Sequence, residues 1–252
     1  MNEMVESRPL TGRRALITGA ALRLGRAIAT GLADAGASIV IHYRSSRDEA
    51  EEAAAEVAAT GVAVELIQAD LAEPETAGQL VDRAWDVAGP IDMLVNSASR
   101  FPSGSLDELG FEALVDILAI NSWAPFALTR SLANRGGGAV VNLLDTRIVG
   151  GDPAHAGYHL SKQMLADFTR MTAIAYAPDV RVNAVAPGYI LPPPGADRTY
   201  LEQRARGVPL GRPGTPADIA AAVVYLMSSD YVTGETIFVD GGQNLAPERA
   251  TT

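Results

Sequence analysis

The sequence predicts an α/β fold, a doubly wound parallel sheet of about seven strands with helices on both faces, in a single domain over residues 1-252. Three observations predict it. Short β-branched runs alternate with longer helical stretches from end to end. Each strand is a nearly continuous apolar run, as expected when both faces of a parallel sheet are covered. No interior linker divides the 252 residues.

In order, the apolar runs read as strands are Ala15 to Thr18, Ser38 to His42, Ala63 to Gln68, Met93 to Asn96, Ala139 to Leu144, Val180 to Ala186 and Thr236 to Val239. Helical periodicity fills the intervals at Leu24 to Ala35, Asp48 to Thr60, Glu75 to Ala88, Phe111 to Ala133, Gly157 to Tyr176 and Pro216 to Ser228. After the sixth strand comes Pro192-Pro193-Pro194-Gly195 and then Ala196 to Gly207. Polyproline continues neither a helix nor a ladder, so a substrate loop or lid is expected at about 190-210. It begins at the carboxyl end of a strand, where open α/β sheets bind ligands. The first ten residues and the tail from Ala246 are expected to be frayed.

Thirty acidic against twenty basic side chains leave a net charge of −10 and a pI near 4.8. That balance argues against nucleic acid or an anionic membrane as partner. The longest unbroken apolar run, Ile219 to Met227, falls far short of the ~20 residues that cross a bilayer. Glu3 and Glu6 spoil a cationic signal-peptide start, so a soluble cytoplasmic protein is expected. There is no cysteine, and the three histidines lack zinc-ligand spacing, so neither a thiolate nor a metal is expected to carry the chemistry. Of the twenty basic residues, only Lys162 is a lysine. Either it is a surface remnant, or its position needs a compact ammonium with three rotatable donors.

The first strand runs into Thr18-Gly19-Ala20-Ala21-Leu22-Arg23-Leu24-Gly25 and then a helix. Glycine permits the tight bend and close backbone approach, and the free amides of a helix start favour a pyrophosphate. At the end of the second strand stands His42-Tyr43-Arg44-Ser45-Ser46-Arg47, where an NAD site usually carries an acid for the ribose hydroxyls. No acid comes before Asp48. Arg44 with the Ser45 and Ser46 hydroxyls suits a 2′-phosphate, so the expected cofactor is NADPH; the other reading is a solvated polar loop. Tyr158 and Lys162 stand four apart on a predicted helix and share a face. A free phenol titrates near ~10, and a neighbouring ammonium is expected to lower that value towards useful acid catalysis.

Over nearly its whole length the sequence resembles the short-chain dehydrogenase/reductase family, which implies a Rossmann-type sheet. The motifs that carry the likeness are the Thr18-Gly19 turn, Asp70-Leu71, Asn96 to Ser99, Asn121, Tyr158 with Lys162, Pro187-Gly188 and Val239-Asp240-Gly241-Gly242. The resemblance implies that Asp70 and Leu71 border the adenine, that Asn121 supports a proton-relay water, and that Lys162 also holds the nicotinamide ribose. It extends the cofactor site to Asn96, Ser97, Ala98, Ser99, Pro187 and Gly188, and it implies a homotetramer.

Three departures from the family pattern narrow the reading. Arg23 replaces the middle glycine of the turn, Asn96-Ser97-Ala98-Ser99 replaces Asn-Asn-Ala-Gly, and Asp145 stands where a serine is usual. Together with His42-Tyr43 and Phe101 they resemble the pteridine reductase branch, including the dihydromonapterin reductases, in which that aromatic stacks on the pterin. The chemistry agrees. An ionised Asp145 only accepts hydrogen bonds and would repel the oxyanion of a simple ketone reduction. A pterin is protonated on nitrogen and presents N–H donors, which suits a carboxylate beside Tyr158. Phe101 then offers a flat face and Arg23 bridges cofactor phosphate and pterin, unless Phe101 fills the core and Arg23 meets only pyrophosphate. Tyr189 is a further candidate for the substrate pocket. His155 and His159 are expected at the surface, and Trp123 in the core or a subunit contact.

The leading expectation is thus an NADPH-dependent reductase of dihydropterins, with protons supplied through Tyr158 and Asp145. A carbonyl or 3-oxoacyl-carrier-protein reductase is the alternative. A sensor that binds NADPH without chemistry would tolerate loss of Asn121, Tyr158 or Lys162, and all three are present.

Overall fold

Side chains alternate across the strands, and that alternation sorts the core into two layers. Leu16, Val40, Leu94, Val140 and Val182 pack on one face of the sheet, while Ala15, Ile17, Ile39, Ile41, Met93 and Val95 pack on the other. A computed structural model describes residues 8–193 and 195–245 of the chain. Its strands are β1 (Arg14–Ile17), β2 (Ser38–Tyr43), β3 (Val64–Gln68), β4 (Met93–Asn96), β5 (Gly138–Leu143), β6 (Val180–Pro187) and β7 (Thr236–Val239). They form one parallel sheet in the order β3-β2-β1-β4-β5-β6-β7. Chain direction reverses across the sheet between β1 and β4, so a crevice opens at their carboxyl ends.

Helices α1 (Arg23–Asp34), α2 (Arg47–Ala58) and α8 (Pro216–Ser228) cover one face through Ile28, Leu32, Val57, Ile219 and Val223. Helices α3 (Pro74–Ala88), α5 (Ala124–Asn134) and α6 (Ala156–Ala175) cover the other, with Leu80, Val81, Leu128, Leu132 and Ala173 against the sheet. Each such buried leucine or valine contributes about 1.5–3 kcal/mol of transfer free energy.

The structure corrects the expected elements in three places. The single helix expected over Phe111 to Ala133 is α4 (Phe111–Leu118), then a π-helical turn (Ala119–Trp123), then α5. The turn places Asn121 in the interior, fully buried. The run Phe111–Asn134 is long and apolar enough to cross a membrane by length and composition, yet it packs on α3 and α6 as a core element. The stretch expected to be irregular after β6 contains helix α7 (Arg198–Ala205), whose first turn is capped where Asp197 accepts from the Tyr200 amide. Arg8 to Leu10 are ordered rather than frayed, because Leu10 is fully buried and its amide donates to the Ala35 carbonyl. Pro194 and the tail from Ala246 lie outside the described residues.

Candidate active site

The turn after β1 approaches its neighbours so closely that side chains are excluded. Gly19 has φ +66°, and a Cβ at Gly25 would lie 2.3 Å from the Gly19 carbonyl oxygen. Arg23 occupies the usual glycine position with φ 54°, a left-handed conformation costing roughly 1–2 kcal/mol for a residue with a side chain. Helix α1 starts there with neither a side-chain cap nor an acid in its first turn, so its leading N–H groups have no partner on the chain side. They face a cavity of about 460 Å³ walled by Gly19, Arg23, Leu24, Gly25, Arg44, Asp70 and Leu71 at one end and by Ser97 to Phe101, Tyr158, Lys162 and Pro187 at the other. Uncapped amides, an exposed guanidinium and a cleft of this length fit a phosphate-bearing dinucleotide.

Not every residue expected at the cofactor lies on this wall. Arg44 does and is exposed, whereas Tyr43, Ser45 and Ser46 do not line the cavity. His42 reaches it but is buried and works as a bracket: Nδ1 accepts from the Gly19 amide at 3.1 Å and Nε2 donates to the Ala69 carbonyl at 3.2 Å. Burial lowers its pKa to about 4, so it is neutral. Asn96 is also internal, donating to Asn142 at 2.8 Å inside the sheet. Gly188 packs so tightly on Asp240 that a Cβ would lie 2.7 Å from its Cα. Arg23 donates to the Pro192 carbonyl at 2.9 Å, tying the turn to the segment after β6. Tyr189 lines a second cavity, of about 490 Å³, with Phe238 and Asp240 rather than the first.

At the other end, helix α6 presents Tyr158 and Lys162 one turn apart. Tyr158 donates to Asp145 Oδ2 at 3.0 Å. The carboxylate is held in turn at Oδ1 by the Arg147 amide at 2.9 Å, at the start of a short 3-10 turn. Lys162 is 3% exposed and donates to the Leu143 carbonyl at 2.7 Å. The expected lowering of the phenol by the ammonium does not occur. Burial first, then the charge and hydrogen bond of Asp145, push Tyr158 well above its ordinary value. Lys162 instead sits over the ring, 5.7 Å from its centroid, while the carboxylate touches the oxygen. Burial outweighs the Asp145 charge and lowers Lys162 itself to about 8.

The Asn121 side chain is committed within the protein. Its Oδ1 accepts from Ser99 Oγ at 3.2 Å and the Arg100 amide at 2.8 Å, and its Nδ2 donates to the Arg100 carbonyl at 2.9 Å and Ser161 Oγ at 3.0 Å. Two donors and two acceptor sites are all an amide has, so the side chain is saturated, which leaves the expected relay water to the residue's main chain. It clamps the loop after β4 onto helix α6.

Sequence reasoning missed three participants. Thr18 Oγ1 accepts from the amides of Ser97 and Ala98 at 3.0 Å each, locking the β1 and β4 turns together. Arg147 contacts Asp145, and His155 is half-buried against Phe101 rather than on the surface. His159 too is half-buried. Spacing to Tyr158 was the available signal for His155, which lies three residues before it and so near the same face. Trp123 is 38% exposed and groups with Phe126 and Arg130 away from the cavity. Among the described residues no cluster of three metal-ligating side chains occurs.

Three comparisons bear on this geometry. A family model described as enoyl-(acyl carrier protein) reductase matches residues 19–244. An uncharacterised oxidoreductase of Mycobacterium tuberculosis is 37% identical over 244 residues, 92% of each chain. The 3-oxoacyl-[acyl-carrier-protein] reductase of Staphylococcus epidermidis is 33% identical over 91% of this chain and 98% of its own. Among solved structures, the FolM alternative dihydrofolate reductase 1 of Brucella canis, complexed with NADP, superposes with a TM-score of 0.88. It is 34% identical over 96% of this chain and 98% of its own.

Proposed function

The chain belongs to the short-chain dehydrogenase/reductase family of oxidoreductases, and we propose that it reduces dihydropterins to tetrahydropterins with NADPH. The observation that carries the reading is the Tyr158–Asp145 hydrogen bond: Tyr158 lines the cavity, and Asp145, which is not on the lining, is its partner. A serine there would donate to a developing oxyanion; an ionised carboxylate accepts, and so selects a substrate edge rich in N–H groups. The NADP-bound FolM neighbour, an alternative dihydrofolate reductase, supports the same direction, because dihydrofolate carries a dihydropterin ring.

NADPH supplies the hydride when bound. The uncapped amides of α1 would hold its pyrophosphate, Arg44 its 2′-phosphate, and Lys162 its ribose through the two N–H groups not given to Leu143. Tyr158, kept fully protonated by its surroundings, donates to the ring nitrogen beside the carbon that is reduced. Asp145 accepts hydrogen bonds from the N–H groups of the pterin edge and keeps no proton of theirs; one hydride and the one proton from Tyr158 complete the reduction, and the phenol regains its proton from water. Phe101 stacks on the ring, and Arg23 ties the phosphate end of the cavity to Pro192 after β6. In the same reading the enzyme is cytoplasmic and homotetrameric.

Incubation of the purified protein with NADPH and dihydrobiopterin, followed at the nicotinamide absorbance band, tests this. Oxidation dependent on the pterin is expected. Faster turnover of a 3-oxoacyl thioester or a small ketone, with none of the pterin, would replace it by the carbonyl reductase reading that the Staphylococcus relative represents.

A further inference from the structure

Phe101 is 48% exposed on a loop, yet its ring is fixed from several sides. His155 stacks on it with centroids 4.5 Å apart and planes 21° from parallel. Tyr158 meets it edge to face at 4.5 Å, and the Arg147 guanidinium carbon lies 5.2 Å from its centroid. His155 and Arg147 are themselves pinned by one carboxylate: Asp152 Oδ2 accepts from Arg147 at 2.9 Å and from His155 Nδ1 at 3.0 Å. Backbone bonds tie the two loops as well, from the Gly104 amide to Ala154 at 3.1 Å and from the Ala156 amide to Gly104 at 3.2 Å. One residue before Phe101, Asn121 clamps both backbone groups of Arg100.

We propose that His155 and Arg147 are positioning residues that hold the Phe101 ring as a preset stacking wall beside the Tyr158–Asp145 pair, tuning the site for flat heteroaromatic substrates. Neither residue lines the cavity, and both act through the Phe101 ring. An exposed phenylalanine free to change rotamer pays an entropic cost when a ring stacks on it; one already braced does not. Arg147 joins the brace to the chemistry, because its amide orients Asp145 while its side chain reaches Asp152 and Phe101. An aliphatic ketone gains little from such a wall, since it has no π face to offer.

The kinetic arm of the test rests on the dihydropterin reading; the spectroscopic arm does not. The chain has five phenylalanines, so labelling with 4-fluorophenylalanine gives a short ¹⁹F spectrum in which Phe101→Leu identifies one resonance. In His155→Ala that resonance is expected to move as the ring current is lost, and in His155→Phe to remain displaced. In the same variants KM for dihydrobiopterin should rise about three- to tenfold with alanine and recover with phenylalanine, with kcat falling less and NADPH affinity unchanged. An unmoved Phe101 resonance in His155→Ala overturns the brace, and a moved resonance with unaltered KM overturns its role in binding. Should the alanine variant fail to fold, Arg147→Met removes the tie to Asp152 instead and is expected to move the same resonance. If the unaltered protein does not turn over dihydropterin, the functional reading fails, and the fluorine spectra alone decide the brace.

Discussion

Tyr158 gives its phenolic hydrogen to Asp145 Oδ2 at 3.0 Å, so proton donor and carboxylate form one hydrogen-bonded unit. Burial first, and then the carboxylate, hold the phenol in its neutral form, against the expectation that Lys162 would promote its ionisation. The site thus sets an acceptor beside the donor.

Tyr158→Phe removes the hydroxyl and keeps the ring that packs on Phe101. Turnover is expected to fall by roughly 10²–10⁴, the usual contribution of a positioned acid. NADPH binding, followed by quenching of protein fluorescence, should persist. Retention of turnover would remove Tyr158 from proton delivery.

Asp145→Ser exchanges the acceptor for a donor. Dihydropterin reduction should drop at least tenfold in kcat/KM, while any weak activity on small ketones holds or rises. Parallel measurement of kcat/KM for dihydrobiopterin and a ketone checks the opposite movement. The same variant loses the carboxylate charge next to Tyr158, so the phenol's titration should shift towards its ordinary value, read by ultraviolet difference spectra against Tyr158→Phe.

Arg44 is exposed on the cavity wall, and no acid stands beside it to select ribose hydroxyls. NADPH should bind more tightly than NADH. Arg44→Asp should weaken NADPH by about tenfold or more and reduce or reverse the preference, because a charge that repels phosphate replaces one that binds it. Equal dissociation constants for the two cofactors in the unaltered protein would refute the assignment.

His42 is neutral and buried, with a pKa of about 4 against about 6.5 in the unfolded chain. The unfolded state binds more protons between those values, so stability rises with pH across that window. The contribution is complete above pH 6.5 and is lost as pH falls through 4, by about 3 kcal/mol in all. Protonation also abolishes the acceptor for the Gly19 amide. Urea unfolding at pH 7 and pH 5 should show a fall of about 2 kcal/mol that His42→Asn largely removes. An equal fall in both proteins would assign the acid sensitivity elsewhere.

The doubly wound sheet, the glycine turn before α1 and the Tyr158–Lys162 face were legible from the sequence alone, because all three are written in local periodicity and short spacings. Strand ends agree with the apolar runs to within a residue or two, since burial on both faces leaves little freedom in composition. Residue types at Arg23, Asp145 and Phe101 also carried the substrate class as an expectation. Only the tertiary structure decided how those groups meet. Asp145 and Tyr158 are thirteen residues apart, and which of Lys162 or Asp145 controls the phenol depends on where each charge comes to rest. The π-helical turn that buries Asn121, the saturation of its amide and the ordering of Leu10 depend on packing against distant segments. His155 and Tyr189 moved from their expected places for the same reason. A side chain's neighbours across a loop are set by long-range contacts, and no local pattern of residues encodes them.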